Sequence, residues 1–307
     1  MHQIDIVIPA FNEEENLPKV HELLLKLQPE DCEFHFIFVN DGSTDSTQDV
    51  IEEMMLDHKN ISFLEFSRNF GHQAALSAGI KSSEGDATIT MDADLQHPPK
   101  LVLEMIDNWK NGFEIVYTLR KYHQESTLLK RVTSTVYYQI INKLSHIHIP
   151  QGAADFRLWD KKVVNEFKRI NEKGIFLRGL SSWMGFKQVA IEYTSHERFK
   201  GESKYNIRKM LLLALDGVTS FSSFPLYISS LVGFVILFIG MLWASHVFYI
   251  KYFTQESTPG WASIMILIIL IGGIQIILLG IMGIYLAKIH EQIKDRPDYI
   301  IKNKRKS

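Results

Sequence analysis

Among its 307 residues the sequence has a single cysteine, Cys32. One thiol excludes an internal disulfide and a cysteine-rich zinc cluster. A basic excess is also missing: 33 Lys and Arg against 35 Asp and Glu leave a formal net charge of −2. That balance argues against a dedicated nucleic-acid binder. Neither GxGxxG nor GxxxxGK[ST] occurs, so the dinucleotide fingerprint and the P-loop do not apply. The first residues form no basic n-region or long apolar h-region, and Asp5, Glu13, Glu14 and Glu15 come early. The N-terminal part is therefore expected to stay in the cytosol. The most telling absence is of charge late in the chain. No Asp, Glu, Lys or Arg occurs in the 34 residues 217–250 or in the 31 residues 257–287.

A bilayer core needs about 20 apolar residues of helix, and both runs exceed that. Spans are expected at about 226–249 and 262–287, forming a transmembrane hairpin over 225–287. The connection 251–260 is short, polar and turn-forming at Pro259 and Gly260. Trp243, Tyr249, Tyr252 and Trp261 lie near this end, as an aromatic belt would. Lys251 is the one basic residue of the loop, whereas 288–307 holds seven and Arg198, Lys200, Lys204, Arg208 and Lys209 precede the first span. The positive-inside rule then places the N-terminal domain and both termini in the cytoplasm of a two-span cell-membrane protein. Residues 205–224 mix Arg208 and Lys209 with Met210, Leu211, Leu212, Leu213 and Leu215. They read as an interfacial amphipathic helix, and 288–307 reads as a basic cytoplasmic tail.

The first 204 residues alternate strand and helix. Strands are expected at 4–9, 34–40, 61–66, 87–91 and 114–118, and helices at 14–27, from 44 onward, at 73–81 and at 101–111. That order implies an α/β domain with a mostly parallel, Rossmann-like sheet covered on both faces. Ligands of such sheets bind beyond the carboxyl ends of the strands. Three loops there are acidic: 9–13 (PAFNE), 40–45 (NDGSTD) and 92–99 (DADLQHPP). Asp41 can accept from a ribose or a base, or it can cap the next helix; we favour Asp45 as the cap and Asp41 as the ligand group. Asp92 and Asp94, one residue apart in an extended segment, would point the same way, with Gln96 on the same side. Paired carboxylates repel unless a cation lies between them. Mg²⁺ or Mn²⁺ with the phosphates of a substrate is the natural third partner. His72 and His97 read as structural or loop residues.

Eight ordered stretches together resemble the family 2 glycosyltransferases of the polyprenyl-phosphate type, the group of bactoprenol glucosyltransferases and dolichyl-phosphate mannosyltransferases. They are IVIPAFNEEENL (6–17), VNDGSTDST (39–47), SRNFGHQAALSAG (67–79), TMDADLQHPP (90–99), GAADFRLWDKKVV (152–164), FLRGLSSWMGF (176–186), GESKYN (201–206) and LALDGVTSFSSFPL (213–226). The resemblance implies a GT-A catalytic domain, an inverting transfer and a divalent metal, Mg²⁺ or Mn²⁺. It implies a nucleotide-sugar site at Pro9, Phe11, Glu13, Asp41, Asp92, Ala93 and Arg120, and metal ligands at Asp92, Asp94 and Gln96. It further implies a lipid-phosphate site at Arg131, Arg198 and Lys204, with Asp94, Arg131 and Asp155 catalytic. Arg120 departs from the pattern, since relatives commonly carry a glycine before the arginine. The QxxRW motif of processive synthases is absent, which argues against polymer synthesis.

The implied reaction passes a sugar from a nucleotide-sugar, a UDP-sugar by resemblance, to polyprenyl (undecaprenyl) phosphate for cell-envelope glycosylation. A phosphate acceptor, with a second pKa of about 6, is already ionised at neutral pH. Asp155 is therefore expected to orient groups such as Arg157 or Arg131, not to remove a proton. The competing readings are a hydroxyl lipid acceptor, which would need a true base, and a non-catalytic membrane scaffold. The expected partners are the donor, polyprenyl phosphate and the bilayer. A homo-oligomer and a flippase or downstream glycosyltransferase are also allowed, and nucleic acid is not.

Overall fold

The β-branched and aromatic runs of the N-terminal half become strands because such side chains pack on a pleated, buried surface. A computed structural model describes residues 1–121, 150–194, 222–249, 253 and 260–306. They fall into two compact units, one holding 1–121, 150–194 and 297–306, the other 222–296.

The first unit is built on one sheet of eight strands. These are β1 (His2–Ala10), β2 (Cys32–Asn40), β3 (Ile61–Phe66), β4 (Ala87–Thr90), β5 (Ile115–Lys121), β6 (Ala153–Asp160), β7 (Gln188–Thr194) and β8 (Ile301–Lys306). Their order across the sheet is β7-β5-β6-β4-β1-β2-β3-β8. Strands β1 to β4 run parallel, so their carboxyl ends share one edge. The helices are α1 (Leu17–Leu25), α2 (Thr47–Asp57), α3 (His72–Ser82), α4 (Leu101–Lys110), α5 (Lys161–Lys168) and α6 (Leu177–Trp183). Both faces of the sheet are buried. Ile4, Ile6, Ile8, Phe34, Phe36 and Phe38 pack with Leu17, Val20, Ile51 and Met105. Val7, Ile37, Val39 and Leu64 pack with Leu76, Ile80, Val163 and Leu180. Neighbouring positions of one strand thus serve opposite faces, and the strands read as near-continuous apolar runs.

The α/β domain with its mostly parallel sheet is as expected, and two strands add antiparallel pairings to it. Strand β6 inserts between β4 and β5, antiparallel to both. It brings Asp155, near its start, to the edge where β4 ends. Strand β8 pairs antiparallel with β3. Part of the expected basic tail is therefore an edge strand of the catalytic sheet. Lys302 lies 2.5 Å from Glu65, Arg305 3.0 Å from Glu52 and Lys306 3.1 Å from Glu84.

Helix α3 crosses β1 at Gly79, where an added Cβ would stand 2.1 Å from Val7 Cγ1. Val7 is β-branched and buried, so it has no room to yield. Gly79→Ala is expected to cost about 1–3 kcal/mol by overpacking. Thermal unfolding followed by tryptophan fluorescence should show a lower midpoint, and an unchanged one would refute this close contact.

The second unit contains α7 (Phe224–Tyr249) and α8 (Trp261–Ile293). Both are long and apolar enough to cross a membrane, and Phe234, Phe238, Leu242, Ile276, Ile277 and Leu279 are exposed on them. Apolar side chains turned outward like these suit lipid, not water. Helix α8 runs for 33 residues, about 50 Å at 1.5 Å per residue, longer than the hydrocarbon core. Of the expected interfacial helix 205–224, only 222–224 are among the described residues.

Candidate functional site

The loops after β1, β2, β3 and β4 leave the sheet at its carboxyl edge, and their hydrogen bonds weld them together. Asn12 N donates to Ser43 Oγ at 3.0 Å, and Thr44 N donates to Asn12 Oδ1 at 2.9 Å. Glu13 N donates to Thr47 Oγ1 and Ser46 N donates to Glu14 Oε2, each at 2.9 Å. Asn12 sits at φ 59°, a left-handed conformation that Asn tolerates better than most residues. Asp45, expected as the cap of α2, instead lies one residue before the N-cap Ser46 and accepts from Thr47 N at 3.1 Å.

Asp41 turns its carboxylate to the loop after β3. It is 3% exposed and accepts from Phe70 N at 2.6 Å and Gly71 N at 2.9 Å. Burial pushes its pKa up in spite of these bonds. Gly42, at φ 68°, packs so closely that an added Cβ would lie 2.4 Å from the carbonyl carbon of Arg68. Only glycine suits that turn and that approach.

The Asp92–Asp94 segment is not extended. Strand β4 ends at Thr90, and the chain turns through Leu95 at φ 55°. The alternation that would put Asp92, Asp94 and Gln96 on one side therefore does not hold. Asp94 instead accepts from Gln96 N at 3.1 Å, in a short side-chain-to-backbone turn. Asp92 lies 2.7 Å from His72 Nε2 and 3.8 Å from His97 Nε2. Burial alone would raise the Asp92 carboxyl, but the hydrogen bond and charge of His72, then the charge of His97, bring it below its usual range. His72 moves up in return: burial opposes its charge, yet the bond to Asp92 and the charges of Asp92 and Asp155 outweigh that. Glu13 is pushed up by burial and, after the opposing bond from Asn16, by the negative charges of Asp94, Asp45 and Asp92. Carboxylates from three loops thus share one field.

Asp155 reaches the same place from β6. Arg178 of α6 clamps it with Nε on Oδ1 at 3.0 Å and Nη2 on Oδ2 at 2.8 Å. Gln73 of α3 donates to Oδ2 at 3.2 Å and accepts from Leu177 N at 3.1 Å. Burial would raise this carboxyl, but the Arg178 charge and bonds, then Arg157 and His72, hold it down to about 2. Arg157, one of the partners expected for Asp155, adds charge but hydrogen-bonds to Ala154 O at 2.9 Å and to Ser181 Oγ. Arg178, not Arg157, is the hydrogen-bonded partner. FLRGLSSWMGF put Arg178 in a matching stretch, yet nothing local gave it a role.

Other expected residues are placed as follows. Pro9 and Ala93 are buried, and Phe11, two residues after Pro9, is 44% exposed. Arg120, exposed at the end of β5, faces Tyr193 across the β5–β7 pair. Its charge acts on His97 and on Tyr193, which burial pushes up to about 12. Gln96 Nε2 and His97 Nδ1 are buried without a hydrogen-bond partner among the described residues. Such atoms are ones a ligand or water can satisfy. Arg131, Arg198 and Lys204 lie outside the described residues.

Among the described residues no group of three or more His, Cys, Asp and Glu is arranged to hold a metal. The donor chemistry still suits Mg²⁺ or Mn²⁺. Asp94 and Asp92 are hard oxygen donors, and the negative charges of Asp94, Asp45 and Asp92 add to the burial that raises Glu13. Such ions are commonly held by one or two carboxylates plus substrate phosphates.

The family model for glycosyl transferase family 2 matches residues 5–167. An uncharacterized glycosyltransferase, YkcC of Bacillus subtilis, is 42% identical over 97% of this chain and 93% of its own. The bactoprenol glucosyl transferase of Shigella phage SfV is 35% identical over 99% of each. A solved mannosyltransferase of Pyrobaculum calidifontis, in complex with GDP-Man and Mn²⁺, is a remote likeness. It is 15% identical at a TM-score of 0.48, over 71% of this chain and 63% of that one. A family match over more than half the chain and near full-length relatives, on a domain with acidic loops at its sheet edge, make this chain a glycosyltransferase belonging to glycosyl transferase family 2.

Proposed function

We propose that this glycosyltransferase moves a sugar from a nucleotide-sugar, a UDP-sugar by preference, to polyprenyl phosphate at the cytoplasmic membrane face. The observation that carries the choice of acceptor is the state of Asp155. A general base needs a pKa near the working pH and a lone pair within reach of the proton. Asp155 accepts three hydrogen bonds and sits at a pKa of about 2. A phosphate acceptor, already ionised, needs no such base; a lipid hydroxyl would. The bactoprenol-linked relative supports the same acceptor class.

In this reading Glu13, Phe11 and Arg120 line the donor cleft, and Asp94 and Asp92 hold the divalent ion. When bound, that ion neutralises the leaving diphosphate. Asp41 holds the loop that completes the cleft, and Asp155 fixes Arg178 as positive charge where two phosphates must approach. Arg131, Arg198 and Lys204 are assigned to the acceptor phosphate on the family resemblance. An even number of crossings is supported by the sheet itself. Strands β3 and β8 lie on either side of the apolar helices in sequence but pair with each other. Lys and Arg at both flanks favour the cytoplasm.

The test incubates membranes carrying the protein with labelled nucleotide-sugars, Mn²⁺ and undecaprenyl phosphate, followed by lipid extraction. Label is expected in a lipid product that forms only when undecaprenyl phosphate is added. Transfer to diacylglycerol or ceramide instead would overturn the acceptor, and no transfer from any donor would favour a scaffold.

A further inference from the structure

The segment that follows α8 in sequence meets the loop between β3 and α3. Tyr299 stacks on Phe66, with ring centroids 4.9 Å apart and planes at 11°. Phe66 in turn meets the edge of Phe70 at 5.7 Å and 89°. Ser67 N donates to Ile300 O at 3.0 Å, just beyond the register shift at Glu65 and Phe66 in the β3–β8 ladder. Lys302 anchors the same place through Glu65.

Within the loop, Arg68 donates to Asn69 O at 2.9 Å and its guanidinium lies over the Phe70 ring at 3.9 Å, contacts made on an exposed stretch. Ser67, Arg68 and Asn69 are exposed in succession, and segments with few buried contacts open easily. Yet this loop supplies the Phe70 and Gly71 amides to Asp41, and its next residue, His72, bonds Asp92. It is held from one side by the site and from the other by Tyr299 and Ile300.

We propose that Tyr299 and Ile300 are positioning residues for donor binding, bracing the 66–72 loop so that Asp41 and His72 are set before the nucleotide-sugar arrives. This rests on the reading of that edge as the donor site. The ring stack carries the effect, because the hydroxyl of Tyr299 makes no hydrogen bond among the described residues. A cleft ordered in advance binds its ligand without the cost of ordering it. The brace acts on donor affinity and leaves the chemical step alone.

The experiment uses the full chain in lipid nanodiscs, with UDP-glucose, Mn²⁺ and undecaprenyl phosphate as probes, and compares Tyr299→Ala with Tyr299→Phe. In Tyr299→Ala, hydrogen exchange at the Ser67, Phe70 and Gly71 amides should speed about tenfold. The KM for UDP-glucose should rise by about the same factor while kcat stays within about twofold. Tyr299→Phe should match the wild type in both. Unchanged exchange at 67–71 in Tyr299→Ala overturns the proposal. So does faster exchange throughout the sheet, the mark of a purely structural residue, or a phenylalanine variant as impaired as the alanine one. A wild-type protein that moves no glucose counts against a UDP-glucose donor, while the exchange comparison still decides whether Tyr299 holds the loop.

Discussion

Asp94→Ala is expected to lower sugar transfer by about 10³-fold, the scale of the several kcal/mol a cation contributes at a leaving diphosphate. Among the carboxylates at the sheet edge, Asp94 is best placed for this. Asp155 is filled by Arg178 and Gln73, Asp41 by two loop amides, and Asp92 is engaged by His72. Among the described residues Asp94 is hydrogen-bonded only by the Gln96 amide. Initial rates of labelled glycolipid formation, titrated with Mn²⁺ and then with chelator, measure the effect. The wild type should lose activity in chelator and regain it with Mn²⁺, and the variant should not recover at any concentration. Wild-type transfer that persisted in chelator, or a variant as fast as the wild type with Mn²⁺ present, would end the metal reading.

Arg178→Ala should lower transfer by about 10²–10³-fold, comparable to the loss of one aimed electrostatic group elsewhere. Its signature lies in pH as well as rate. The Asp155 carboxyl is lowered from 3.8 to about 2 in the folded chain. A group depressed in this way contributes stability that is present above the unfolded pKa and lost as pH falls through the folded one. The contribution is about 2 kcal/mol at neutral pH. Without Arg178 the burial of Asp155 is left far less opposed. The stability gap between wild type and variant should therefore be widest near neutrality and close between about pH 4 and pH 2. Arg178→Lys should rescue little, because an ammonium cannot grip both carboxylate oxygens in a planar fork. Asp155→Asn separates positioning from base catalysis: its transfer defect should persist above pH 8. Recovery there would restore Asp155 as the proton acceptor.

The local elements were legible because each had a local cause. IDIVIP and FHFIFVN announce strands by their apolar, β-rich content, and the turns after them are marked by Asn12, Asp41 and Gly42. The acidic loops could be placed at one edge because parallel strands put their carboxyl ends together. What could not be read depends on partners distant in sequence. Nothing in AADFRLWD states that it will lie between β4 and β5. IKNKRK reads as a solvated tail, since its pairing with β3 is sustained by Glu65, Glu52 and Glu84, hundreds of residues earlier. Arg178 looks like any helix arginine until Asp155, 23 residues before it, is brought alongside. The geometry of Asp92 and Asp94 was missed because a turn at Leu95 replaces the extended chain their spacing suggested.

The cross-bonding of Asn12, Glu13 and Glu14 to Ser43, Thr44, Ser46 and Thr47 makes the first two loops a single cassette. Each lends the other both donors and acceptors, so neither keeps its shape alone. Grafting one of them from a relative with a different nucleotide preference would strand the unmatched groups of its neighbour. Exchanging the two as a pair keeps the seam closed, so donor preference in this scaffold is transplanted in two-loop units.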